Sequence, residues 1–177
     1  MEKIITVFGS ALLKPIDNQY EKAVELGNLL ANNKYTICSG GYGGIMEAVS
    51  KGVKSAGGNT IGITMDSVSV KPNEFIDENV IMPNWVERLM ELIAIGDAYV
   101  VFKGGSGTLV EISALLEMMN KKIMKEKKII FYSKFWGKVI DSINDDSKTL
   151  KRLIKNNVSF VNSVHDILKI LKKLDPV

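Results

Sequence analysis

The chain has 177 residues, 46% hydrophobic and 24% charged, which suits one folded domain (1–177) and excludes a disordered or collagen-like polymer. Its formal charge of +3 is a mild excess, with lysines gathered at 121–128 and 169–173, but no aromatic side chains interleave with them. Solvated helix ends are therefore expected, not a nucleic-acid surface.

In chain order, the apolar pattern alternates between short β-branched runs and longer helical segments. KIITVF at 3–8 reads as a strand, too short for a leader or a membrane span. Residues 19–33 place Tyr20, Ala23, Leu26, Leu29 and Leu30 at helical spacing. YTICSG at 35–40 is a second strand, and it carries Cys38, the only cysteine, which rules out an intramolecular disulfide. With no sign of an oxidising compartment or a membrane partner, the expected location is the cytoplasm. A helix over 45–55 is stopped by Gly57 and Gly58, and NTIGIT at 59–64 is a third strand. The stretch 65–83 is less regular and includes a short strand at 78–82. Asn84 then caps a helix that runs to about Ile95. DAYVVF at 97–102 is the most strand-like run, followed by a helix from about 108 to 121 and a strand at 127–132. The last third holds helices from about 135 and near 148–156, a VSFV strand, and a final helix at 163–174. Strands separated by helices specify βαβ units. The expected fold is α/β, a doubly wound, mostly parallel sheet in a Rossmann-like three-layer sandwich.

Two glycine loops stand where a strand ends and a helix begins. The first is Ser39-Gly40-Gly41-Tyr42-Gly43-Gly44-Ile45-Met46; the second is Lys103-Gly104-Gly105-Ser106-Gly107-Thr108. Glycine there permits positive φ and close approach to a ligand, and the free amides of the following helix attract a phosphate. One such loop is as readily structural as functional. Two at strand C-termini point to the ligand-binding edge of a parallel sheet. Neither has the Gly-Lys-Ser/Thr ending of a P-loop or the spacing of a dinucleotide fingerprint, so ATP hydrolysis and NAD chemistry lose ground. Gly9 and Ser10, after the first strand, face the same edge. Arg88, one turn into its helix, and Glu111, expected in the first turn of the helix after the second loop, flank it too.

These residues carry a resemblance. The segment from Arg88 through GDAYVVFKGGSGTLVEI, with SGGYGGIMEAVSKG before it, resembles the Lonely Guy (LOG) family from the first strand to about residue 140. That family's hallmark, Pro-Gly-Gly-x-Gly-Thr-x-x-Glu, is matched by Gly104, Gly105, Gly107, Thr108 and Glu111. Its earlier loop is matched by Gly40, Gly41, Gly43, Gly44 and Met46. The resemblance implies a homodimer that cleaves the N-glycosidic bond of a nucleoside 5′-monophosphate such as AMP, releasing free base and ribose 5-phosphate. It implies Arg88 and Glu111 as the catalytic pair. Gly9, Ser10, Gly40, Gly41, Gly43, Gly44, Met46, Gly104, Gly105, Ser106, Gly107 and Thr108 are the residues expected to hold the nucleotide. No cofactor is implied. Two positions depart from the family: Leu89 stands where a Lys usually follows the Arg, and Lys103 where the motif opens with Pro. Lys103 either adds a cation near the phosphate or points to solvent. The alternative reading is a non-catalytic nucleotide sensor, or a carrier of a phosphorylated cofactor such as molybdenum cofactor.

The remaining candidates read as structural. One His, one Cys and no ligand-spaced cluster imply no metal site, and His165 lies far from both loops. Asp97 opens its strand at the wrong end and serves as a cap or loop residue. Leu115, Leu116, Met118, Met119 and Met124 form an apolar stripe that suits a core or a dimer face. Trp85 and Trp136 suit core or interface packing better than a stack against a base.

Overall fold

The computed structural model describes residues 2–66, 69–144 and 147–174. Its strands are β1 (Ile4–Phe8), β2 (Thr36–Ser39), β3 (Thr60–Met65), β4 (Glu78–Met82), β5 (Ala98–Val101), β6 (Lys128–Tyr132) and β7 (Val158–Val161). They form a single sheet in the order β4-β3-β2-β1-β5-β6-β7, and every pairing is parallel. The connecting helices are α1 (Asn18–Ala31), α2 (Ile45–Ser55), α3 (Trp85–Ile95), α4 (Ser106–Asn120), α5 (Gly137–Ile143), α6 (Lys148–Asn157) and α7 (Val164–Lys172).

The central strands alternate their side chains between two cores. Ile5 and Val7 of β1, and Ala98 and Val100 of β5, pack beneath α1, α2 and α7. Phe8, Tyr99 and Val101 pack on the other face, against α3, α4, α5 and α6. Burial on both faces is why these strands read as continuous apolar runs instead of alternating ones. The stripe belongs to the second core: Leu115, Leu116 and Met119 of α4 are buried, with Met118 and, beyond the helix end, Met124 packed against that core. Trp136 is also buried, and its indole N–H donates to the Phe102 carbonyl at 3.0 Å.

The lysines near the N-terminal edge of the sheet close helix ends. Lys3 donates to the Leu174 carbonyl, Lys127 to those of Ala94 and Gly96, and Lys128 to that of Asn156. These carbonyls lie at the C-terminal ends of α7, α3 and α6, where a cation meets the negative end of the helix dipole. Asp97 works at the same edge, its carboxylate accepting from the Ile4 amide at 2.9 Å. A cavity of about 240 Å³ lies among these groups. Among the described residues, no helix is long and apolar enough to cross a membrane.

After β1 the chain winds outward through β2, β3 and β4. It then returns through α3 to place β5 on the other side of β1. The order reverses between β1 and β5, so the helices leaving their C-terminal ends diverge to opposite faces and open a crevice there.

Candidate active site

At that crevice lies a cleft of about 330 Å³, within the range of small-ligand sites. Gly9 and Ser10 supply its floor from the end of β1, and Met46 one wall from the first turn of α2. Gly105, Ser106, Gly107 and Thr108 line it from the start of α4, and Arg88 and Glu111 face it from α3 and α4. Ser10 joins the two glycine loops: its amide donates to the Lys103 carbonyl, and its carbonyl accepts from the Ile45 amide, both at 2.9 Å.

Arg88 is pulled inward. Its Nε donates to the Ile63 carbonyl at 2.7 Å and its Nη2 to the Gly40 carbonyl at 3.1 Å. The guanidinium also lies over the Tyr42 ring, 5.4 Å from its centroid. These contacts span the C-terminal ends of β2 and β3, and among the described residues Arg88 makes no surface ion pair. Of its five N–H groups, two are engaged by the described residues; the other three can reach a ligand.

Glu111 lies in the second turn of α4, not the first. Gly105 already serves as the N-cap, so Ser-Gly-Thr forms the opening turn. The shift keeps the carboxylate on the cleft face, because Gly107, Thr108 and Glu111 sit three and four residues apart. No described residue donates a hydrogen bond to Glu111 or pairs with it within 4 Å. Burial pushes its carboxyl up to about 7, against the pull of Arg88. The same burial lowers the pKa of Arg88, and Glu111 opposes that shift. An unpaired acid and a half-engaged cation thus face each other across an open gap.

The glycines divide by what surrounds them. Gly40, Gly41, Gly43, Gly44 and Gly104 do not line the cleft. A Cβ on Gly40 would stand 2.0 Å from Arg88 Nη2, and one on Gly44, where φ is +68°, would stand 2.1 Å from the Ser10 carbonyl oxygen. Those two hold the site's frame. Gly105 and Gly107 have nothing within 4 Å of a built Cβ, so no packing demand accounts for them. What they leave open is the approach to the α4 amides, which no side chain caps. Gly44→Ala is expected to destabilise the protein by about 2 kcal/mol or more through clash and strain. Gly107→Ala should leave the melting temperature within a few degrees. Thermal melts of the two variants check the contrast.

Leu89 is buried in the core beneath α3 and does not line the cleft. Lys103 does not line it either; its ammonium lies over the Phe135 ring, 5.4 Å from the centroid. Trp85 is exposed on α3, and His165 is exposed on α7 beside Glu25. Neither touches the cleft. Tyr42, Ala11 and Leu12 do line it, and the sequence reading had not singled them out. The one signal for Tyr42 was an aromatic residue inside a loop otherwise built of glycine.

Over residues 2–160 the chain matches the SLOG cluster4 family. The chain belongs to that family. The Lonely Guy resemblance read from the two glycine motifs therefore holds, and the parallel Rossmann-like sandwich is the expected fold. Among proteins similar to this SLOG chain, a pyrimidine/purine nucleotide 5′-monophosphate nucleosidase of Escherichia coli is 31% identical over 120 residues. The match takes in 63% of this chain and 26% of that protein. A rice (Oryza sativa subsp. japonica) protein described as a probable cytokinin riboside 5′-monophosphate phosphoribohydrolase is 34% identical over 95 residues, covering 52% of this chain and 42% of its own. This SLOG chain thus aligns with less than half the length of either relative. In structure, the molybdenum cofactor binding protein of Rippkaea orientalis superposes with a TM-score of 0.80 at 23% identity, covering 98% of both chains.

Proposed function

We propose that the chain hydrolyses the N-glycosidic bond of a nucleoside 5′-monophosphate, AMP being the simplest candidate. The observation that carries this reading is the desolvated Glu111 carboxyl, without a hydrogen-bond partner among the described residues and facing Arg88 beside the uncapped start of α4. The 5′-phosphate would sit on the amides of Ser106, Gly107 and Thr108, where the helix dipole favours an anion. The free N–H groups of Arg88 would hold the phosphate or the ribose hydroxyls and fix C1′ against the carboxylate. As the base departs, positive charge grows on the sugar. Ionised Glu111 stabilises it and orients or deprotonates the attacking water. Water adds to C1′, the C1′–N bond breaks, and the base leaves with the bonding pair and takes up a proton.

The nucleosidase and phosphoribohydrolase relatives support the reaction class. A carrier of a phosphorylated cofactor is the second reading, supported by the fold of the molybdenum cofactor binding protein. Glu111 weighs against it: a site that only holds an anion gains nothing from a buried carboxylate nearby. A homodimer is part of the proposal, since Trp85, Val86 and Met90 of α3 and Leu109 and Val110 of α4 leave apolar surface exposed on neighbouring helices.

Incubation with AMP should release adenine and ribose 5-phosphate. Tight AMP binding without release would favour the carrier, and the absence of both would remove both readings.

A further inference from the structure

We propose that Tyr42 is the positioning residue that aims the Arg88 guanidinium across the cleft at Glu111. The inference deepens the hydrolase reading and rests on it for its catalytic meaning.

Arg88 is held from three directions. Two are main-chain carbonyls, Ile63 and Gly40, which fix Nε and Nη2 along one edge of the guanidinium. Carbonyls on one edge leave the plane free to tilt about that edge. The Tyr42 ring supplies a third restraint, away from the two carbonyls: the guanidinium carbon lies over the face of the ring.

Tyr42 is itself unusually well fixed for a side chain in a glycine-rich turn. Its hydroxyl oxygen accepts from the Met65 amide at 3.0 Å, tying the far end of the ring to the end of β3. Its carbonyl accepts from Asn73 Nδ2 at 2.9 Å. The same Nδ2 reaches the Gly41 carbonyl at 3.1 Å, and the Asn73 amide donates there too, at 2.8 Å. The loop is thus clamped on both sides of Tyr42 by one asparagine. A ring with both its backbone and its tip anchored makes a rigid platform; a flexible apolar side chain would not. Tyr42 also lines the cleft, so the residue that holds Arg88 would feel an occupant directly.

Among the described residues, the charged and titratable groups that act on Arg88 are Glu111, Tyr42 and Cys38, and the one that acts on Glu111 is Arg88. A tilted guanidinium would therefore register at Glu111, which makes the Glu111 titration a readout independent of any substrate.

The test uses Tyr42→Leu and Tyr42→Phe in the full chain, each checked by thermal melting. Tyr42→Phe keeps the ring and loses only its tip anchor on the Met65 amide, so the Glu111 titration followed by carboxyl ¹³C NMR should shift less than half as far as in Tyr42→Leu. Tyr42→Leu should move that midpoint upward and lower kcat/KM for AMP about tenfold or more, chiefly through kcat. If Tyr42→Leu does not fold, Tyr42→Met supplies the same loss of ring. A ringless variant with the wild-type Glu111 midpoint overturns the proposal, as does a Tyr42→Phe variant that shifts at least half as far as Tyr42→Leu. Wild-type protein that leaves AMP intact would sink the hydrolase reading alone, because the NMR comparison still decides whether Tyr42 orients Arg88.

Discussion

Replacing Glu111 with Gln is expected to reduce AMP hydrolysis by about 10²–10⁴-fold while making the folded protein more stable at alkaline pH. Both effects come from one source. The carboxyl sits where water is scarce and no described residue offers it a hydrogen bond, so its pKa in the folded state is about 7, above the ordinary 4.5. A raised acid pKa means that the native state binds the extra proton more tightly than the unfolded chain does. Stability from this group is therefore complete below about pH 4.5. It falls as pH rises through the window up to about 7 and stays low above it. Glutamine cannot ionise, so the variant escapes the loss. Its advantage over wild type should be absent near pH 4 and reach at most ~3 kcal/mol at pH 8, a rise in Tm of up to roughly 6–12 °C. Paired melts at the two pH values check this, and equal Tm differences at both would show that Glu111 is not the strained acid described. In wild type, kcat/KM should climb with pH through about 7 as the carboxylate forms.

Arg88→Lys is expected to fail as a substitute for arginine, with kcat/KM for AMP reduced by about 10²-fold or more. Charge alone is not what the site asks of this residue. Two carbonyls on one edge, an aromatic face below and a ligand beyond require a planar cation with several N–H groups in fixed directions. A lysine ammonium carries its three N–H donors on one nitrogen, so it cannot reproduce the planar fork that grips both carbonyls on one edge and reaches a ligand from the other. Arg88→Ala should lose still more activity. It should also leave the Gly40 and Ile63 carbonyls without their guanidinium partner, a loss of about 1–3 kcal/mol in stability. In Arg88→Ala the loss of the cation also removes the influence that holds the Glu111 pKa down, so the acidic limb of its pH profile should move upward. Near-wild-type kinetics in Arg88→Lys would mean that the residue acts as a simple point charge.

The two variants separate roles that the static geometry leaves joined. Glu111→Gln removes the group closest to the chemistry and relieves a stability penalty. Arg88→Lys keeps the net charge and changes only its shape. Loss of activity in both, with a stability gain only in the first, is the pattern expected of a desolvated acid aimed by a rigid cation.

How much of this could be read from residues alone differs between the fold and the site. Asn84 was legible as an N-cap, and its side chain accepts from the Glu87 amide as such a cap does. Runs such as IITVF and AYVV were legible as strands because burial on both faces leaves no polar alternation. Local chemistry determines such features, and the order of strands and helices then follows from the βαβ rule. The start of α4 was misplaced by two residues because Ser-Gly-Thr has weak helix propensity; tertiary context overrode it, and Glu111 moved to the second turn.

By itself, the sequence determined the parallel α/β architecture, the two glycine loops and the pairing of Arg88 with Glu111 as candidates, since each rests on spacing along the chain. Only the tertiary structure decided that Gly40 and Gly44 serve the frame while Gly105 and Gly107 face open space. It alone turned Leu89 into the core, set Lys103 over Phe135, and brought Tyr42 beneath the guanidinium. The reason is geometric: a periodic pattern fixes which face a residue occupies. Which atoms come within contact distance depends on how β1, β2, β3 and β5 stack their ends, and those contacts join residues dozens of positions apart.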